Sequence, residues 1–251
     1  MRWFRKPTIE FFYTIPSAEY IEPVIPAAKY KRSWFRRAAA KMMDEKKQPG
    51  FGSNFCLSTT KCPAIPAIMS TGYVVRTWQD ITIETNGDGR SVEWVSALDQ
   101  KGLFMESSDA ISFHTEEQLS MFMENWPDDQ LKIPVKFCLP VRIKLKKGYK
   151  ALIMPVAYDD ENRFEAYSGI IDSTFPYAPL YINVKWRVLN GKSLIEAGTP
   201  LAQILVFRDE KITHKFNQAN PVHIHFYDAL SNIKFVANYQ TMRNWLTKAI
   251  L

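Results

Sequence analysis

Gly169-Ile170-Ile171-Asp172-Ser173-Thr174-Phe175, followed by Gly198-Thr199-Pro200-Leu201-Ala202-Gln203-Ile204, decides the reading of this chain. Gly169 ahead of two β-branched residues suits a close approach at a strand start. Gly198-Thr199-Pro200 reads as a turn feeding a buried strand, because Leu201, Ile204, Leu205, Val206 and Phe207 are nearly continuous apolar. Working outward, strand patterns fall at 133–145, 149–155, 164–171, 180–189, 201–208 and 222–227. Gly148, Asp159-Asp160, Asn190-Gly191 and Gly198 separate them. Short strands at this spacing predict an all-β barrel or sandwich.

Towards the N-terminus the pattern changes. Trp78–Thr85 and Ser91–Val95 alternate with period two around Asn86-Gly87-Asp88-Gly89, a β-hairpin signal. Pro7, Pro16, Pro23 and Pro26 forbid a long helix in residues 1–30 and fit an extended arm. Ser33 is placed to cap a helix running to about Lys47, with Pro49-Gly50 ending it. Trp34, Ala38 and Met42 form its apolar stripe, and the basic residues lie mostly elsewhere around it. The stretch from Phe51 to Thr77 reads as loop and short strands. Short helices are expected after Thr115, over Glu116–Asn125, and at Tyr239–Ile250. The resulting division is an arm and basic helix (1–50), a hairpin-containing region packed on the core (51–131), a β domain (132–228) and a C-terminal helix (229–251).

The chain has 251 residues, 46% hydrophobic and 23% charged, a globular composition. No apolar run approaches the roughly 18–20 residues of a membrane span, and Met1–Pro7 lacks the apolar stretch of a signal peptide. Three cysteines, Cys56, Cys62 and Cys138, are too few for a disulfide framework and read as reduced thiols. Residues 1–47 hold eleven Lys and Arg against five acids, a surplus equal to the +6 of the whole chain. The rest is neutral, so the imbalance points to one acidic contact surface rather than general polyanion binding.

Residues 141–208 resemble the dUTP pyrophosphatase family. Val141–Leu145 with Gly148-Tyr149, then Ala151–Pro155, Gly169–Phe175, Leu180–Leu189, Ser193–Glu196 and Gly198–Val206 follow the family's motifs in order and at close spacing. The resemblance implies a β-clip, a distorted jelly-roll barrel. The expected fold class is therefore mainly β with a few helices, a dUTPase-like β-clip carrying an N-terminal arm, helix and hairpin. It also implies self-association, a trimer by analogy. More loosely, Ile25-Pro26-Ala27, Ser33-Trp34-Phe35, Lys61-Cys62-Pro63-Ala64, Gly72–Val75 and Trp78-Gln79-Asp80 resemble a family encoded by tailed marine and cyanobacterial phages. That second resemblance implies a phage origin, in host cytoplasm or virion, and no particular reaction.

The chemistry of the first family is not written here. The resemblance implies an Arg-Ser phosphate clamp after the strand-ending proline, and Pro155 is followed by Val156-Ala157. The family's Arg before I-A-Q is Pro200, and no glycine follows Asp209. Phosphoryl chemistry needs dense positive and hydrogen-bonding contacts. The leading expectation is therefore a non-enzymatic structural or interaction protein with no cofactor, its partners being itself and a phage or host protein, with no membrane. Trp34, Phe35, Arg36 and Arg37 are its candidate interaction residues. The alternative is a nucleotide-binding or nucleotide-hydrolysing protein using Asp172, Phe175 and Gln203, with Mg only in that case. A third expectation is nucleic-acid binding through residues 29–47. His223 and His225 share one side of an expected strand and are the candidate metal ligands. Asp159-Asp160-Glu161 reads as a solvated turn more readily than as a magnesium site.

Overall fold

The computed structural model describes residues 7–15, 21–45, 62, 64–96, 110–115, 117–118, 126–218, 220, 221 and 224. Among them the strands are β1 (Ile9–Tyr13), β2 (Val24–Pro26), β3 (Tyr73–Arg76), β4 (Ile81–Asn86), β5 (Val92–Ser96), β6 (Ile111–Phe113), β7 (Val135–Leu145), β8 (Tyr149–Met154), β9 (Phe164–Ala166), β10 (Gly169–Asp172), β11 (Ala178–Trp186), β12 (Asn190–Ile195) and β13 (Pro200–Arg208). The helices are α1 (Ser33–Glu45) and α2 (Ala64–Ser70), with a 3-10 turn at Ala27–Lys29. Every strand pair is antiparallel. The fold is thus mainly β, as expected.

β7 organises the first sheet. Val135, Phe137, Leu139, Val141, Ile143 and Leu145 are buried, while Lys136, Cys138, Arg142 and Lys144 face the other way. β11 lies along one edge of β7, and β6 and β1 lie in tandem along the other. Pro140 falls between those two short partners. Across the strand, the register jumps from Pro179–Arg142 to Tyr181–Cys138. A proline mid-strand is accommodated because this bulge asks no ladder N–H of it. β9 completes the sheet beside β11.

The second sheet runs β10-β8-β13-β3-β2 and the third β12-β4-β5. The expected hairpin is present as β4 and β5, and β12 joins it, so Ile81, Ile83 and Ile195 enter the same core as the β7 residues. Trp186 and Phe164 stack in that core with ring centres 6.0 Å apart. Burying such a ring is worth roughly 1.5–3 kcal/mol.

Several expectations change. The run 164–171 is two strands in two different sheets, broken at Tyr167-Ser168. A Cβ on Gly169 would meet nothing within 4 Å, so no close approach demands that glycine. Residues 64–70 form helix α2 despite Pro66, which sits in the first turn where no backbone donor is needed. The helix stops at Gly72, whose φ is +77°. α1 starts as expected, but the Arg32 carbonyl, not Ser33, accepts its first N–H, from Arg36 at 3.4 Å. Cys62 is a free, exposed thiol.

The chain forms two compact units, Met1–Glu210 and Lys211–Leu251. Everything above belongs to the first. In the second, 211–218 is irregular, with Ile212 and Phe216 exposed. Pro221 and Ile224 are helical where a strand over 222–227 was expected, and the Ile224 N–H donates to the Asn220 carbonyl at 3.1 Å. Asn-Pro suits a helix start, since proline is favoured at the first helical position. His223, His225 and residues 239–250 lie outside the described residues. No helix among the described residues is long and apolar enough to cross a membrane.

Candidate functional site

Asp172 ends β10, the edge strand of the second sheet, opposite Lys150 on β8. Its Oδ1 accepts the Thr174 N–H at 2.7 Å, closing the turn locally. Its Oδ2 lies 3.9 Å from Lys150 Nζ, which also pairs with Asp209 Oδ1 at 3.0 Å. The Thr174 amide above all, with Lys150 adding to it, holds the Asp172 carboxyl below the usual range. A carboxylate so stabilised is a weak proton acceptor, the opposite of what a general base requires. Phe175 follows it, 67% exposed.

Gln203 is not brought to Asp172. It stands opposite Met154, four residues along β8 from the Lys150 that faces Asp172, a separation of roughly 13 Å at strand rise. Gln203 is fully buried. Its Nε2 donates to the Ile68 and Thr71 carbonyls, both at 2.8 Å, and its Oε1 accepts from Ala157 N–H at 3.1 Å. The amide ties α2 and the loop after Pro155 to β13.

That loop is where the family resemblance implied a phosphate clamp. Here the N-terminal arm closes it. Val156 packs against Ile25, Ala27 and Val74. Arg32, only 3% exposed, donates through Nε to the Ala157 carbonyl at 2.7 Å and through Nη1 to the Met69 carbonyl at 3.3 Å. Its Nη2 is buried without a hydrogen-bond partner. Trp34 Nε1 donates to the Tyr158 carbonyl at 2.7 Å, and Tyr30 donates its hydroxyl to Asp159 Oδ1 at 2.8 Å. Burial is the largest influence on Arg32, lowering its pKa, and on Asp159, raising its pKa.

The acidic turn is neither fully solvated nor a metal cage. Asp159 is half-buried against Tyr30, and Glu161 takes Arg163 through a two-pronged ion pair, with Nε at 2.8 Å from Oε1 and Nη2 at 2.5 Å from Oε2. Among the described residues no three His, Cys, Asp or Glu side chains converge as a metal site. On α1, Trp34 and Phe35 are half-buried with their rings 5.6 Å apart, while Arg36 and Arg37 are exposed. Sequence reasoning missed Tyr30 and Arg32, because their partners lie more than 120 residues away and no local motif announces them.

These elements define an antiparallel β protein whose N-terminal arm bolts one loop shut. No family model matches the chain. No curated protein matches it. Solved dUTPase structures are similar to it. The native EIAV dUTPase matches over 60% of this chain and 85% of its own, at 11% identity and TM-score 0.30. A mutant dUTPase of Staphylococcus bacteriophage 80alpha matches over 60% and 84%, at 13% identity and TM-score 0.32. The dUTPase of phage phi11 of S. aureus matches over 59% and 84%, at 11% identity and TM-score 0.29. Similarity of this extent carries no activity to this chain.

Proposed function

We propose that this is a non-enzymatic structural or interaction protein built on a degenerate dUTPase-like fold, a phage protein that works by contact with copies of itself and with a phage or host protein. One observation carries the reading: the loop after Pro155 presents Val156 and Ala157 and is filled by Arg32, Trp34 and Gln203 from its own chain. A triphosphate finds no cationic clamp there, and the Asp172 carboxylate, stabilised as an anion by the Thr174 amide, offers no strong base. Arg36 and Arg37, exposed on α1, are candidates to make such contacts. The test is thermal melting with dUTP, dCTP and dTTP in magnesium, with pyrophosphate release followed in parallel. The expected result is an unchanged melting temperature and no release.

A second reading has one observation in its favour. Phe175 stands exposed beside Asp172, a ring on which a base would stack. A melting shift with nucleotide that disappears in Phe175→Ala would establish this reading and overturn the first.

A further inference from the structure

The outer face of the first sheet carries cations and aromatic rings in alternation. Residues opposite one another in register share a face. Lys136, Cys138, Arg142 and Lys144 of β7 therefore lie with Pro179, Tyr181, Asn183 and Lys185 of β11 on the side away from the core. Arg187 joins them through its contact with Glu165, which stands opposite Lys185. Five cations, Lys136, Arg142, Lys144, Lys185 and Arg187, meet two carboxylates, Glu10 and Glu165, a positive surplus. The rings are interleaved with them. Lys136 Nζ lies 5.3 Å from the centre of Tyr181 and Lys144 Nζ 5.4 Å from Tyr177, while Lys185 Nζ, 5.5 Å from Tyr167, marks an end of the face where the Tyr167 hydroxyl and Asn183 Oδ1 are buried. Tyr181 is 42% exposed and stands opposite Cys138. The Tyr177 ring is fixed edge-on to Phe12 at 4.8 Å, and the Tyr177 carbonyl is held by Arg142 at 3.0 Å.

We infer that this face binds single-stranded nucleic acid, with Tyr181 and Tyr177 stacking on bases and Lys136, Arg142 and Lys144 following the phosphates. Rings held on a β-sheet stack on unpaired bases, and cations beside them take the backbone without reading sequence. The salt bridges of Lys144 to Glu10 and Lys185 to Glu165, at 3.6 and 3.3 Å, are half-exposed and weak, so phosphate oxygens can displace the carboxylates. A duplex hides its base faces and gains only the charge.

The test is fluorescence anisotropy of the full chain with a labelled oligodeoxythymidine of about 20 nucleotides, long enough for several stacking sites, and with a duplex of the same length. Binding should favour the single strand and weaken as salt rises. Tyr181→Ala should cost about five-fold or more in affinity and Tyr181→Phe little, since the ring is what stacks. Lys136→Ala should lessen the salt slope by about 0.7. Both positions reach solvent, and unchanged melting of the variants separates lost binding from lost folding. Three outcomes overturn the inference: no binding by the wild type, equal binding of duplex with Tyr181→Ala indifferent, or loss confined to Arg36→Ala with Arg37→Ala, which would move the site to α1.

Discussion

Tyr30 donates its hydroxyl to Asp159 at 2.8 Å across 129 residues of sequence. The bond fixes the arm to the loop after Pro155, and it sits in partial burial, which drives both groups towards their neutral forms. Burial, then Asp159, pushes the Tyr30 phenol up, so it stays a donor throughout the neutral range. Burial also raises Asp159, with Asp160 adding, against the opposing pull of Tyr30 and Arg32.

A pH dependence follows. With its folded pKa above the unfolded value of about 3.9, Asp159 binds more protons in the native state between the two. Native stability from this group therefore falls as pH rises through that window, and is unaffected below it. Compared with Asp159→Asn, the wild type should gain stability as pH is lowered from neutrality. Urea midpoints of both proteins across pH measure the difference, which removes the other carboxylates. A difference constant with pH would show that Asp159 is not raised.

The β strands were legible because alternation is a local property, and β7, β8, β11 and β13 lie close to where the pattern puts them. What the sequence hides is long-range. Asp172 and Gln203 look like one site in a motif reading, yet register separates them, because Lys150 and Met154 are their respective neighbours on β8. The run 164–171 divides at Tyr167-Ser168 between two sheets, although the apolar pattern reads as one strand and only Gly169, taken as a strand start, hinted at the break. The pattern over 64–70 reads as loop or short strand, yet these residues form α2, because Pro66 lies within the first turn, where a proline is tolerated.

Arg32 supports the loop by geometry as much as charge. Its planar head reaches the Ala157 and Met69 carbonyls together. Arg32→Ala should cost about 1.5–3 kcal/mol, the range for hydrogen bonds to a charged group. Arg32→Lys should not restore it, because an ammonium cannot span both acceptors in a fixed fork. Chemical denaturation decides: a Lys variant as stable as the wild type would show that charge alone suffices.

Gln203 is a case where one atom matters. Its Nε2 serves two carbonyls at 2.8 Å, and Gln203→Glu would aim an oxygen at both. The loss at pH 7 should be about 3 kcal/mol or more, since the new carboxylate is buried against acceptors. Burial would raise its pKa, so the deficit against wild type should shrink as pH falls and the group takes up a proton. A deficit that grows with acidity would mean that the site carries compensating positive charge.

Gly72 and Gly148 share a left-handed backbone but not a neighbourhood. Their φ values are +77° and +81°. A Cβ on Gly72 would lie 1.9 Å from the Ile204 carbonyl oxygen and 3.1 Å from a Leu205 methyl, whereas one on Gly148 would meet nothing within 4 Å. Gly148→Ala should therefore cost only the backbone conformation, about 1–2 kcal/mol. Gly72→Ala adds a clash with the backbone of β13, the strand that carries Gln203. Relief requires the turn between α2 and β3 to move off the sheet, drawing the Thr71 carbonyl away from the Gln203 amide. The Gly72 variant should lose at least about 2 kcal/mol more than the Gly148 variant, a typical overpacking cost. Equal losses by urea denaturation would mean that the α2–β3 turn does not press on β13 as closely as these distances require.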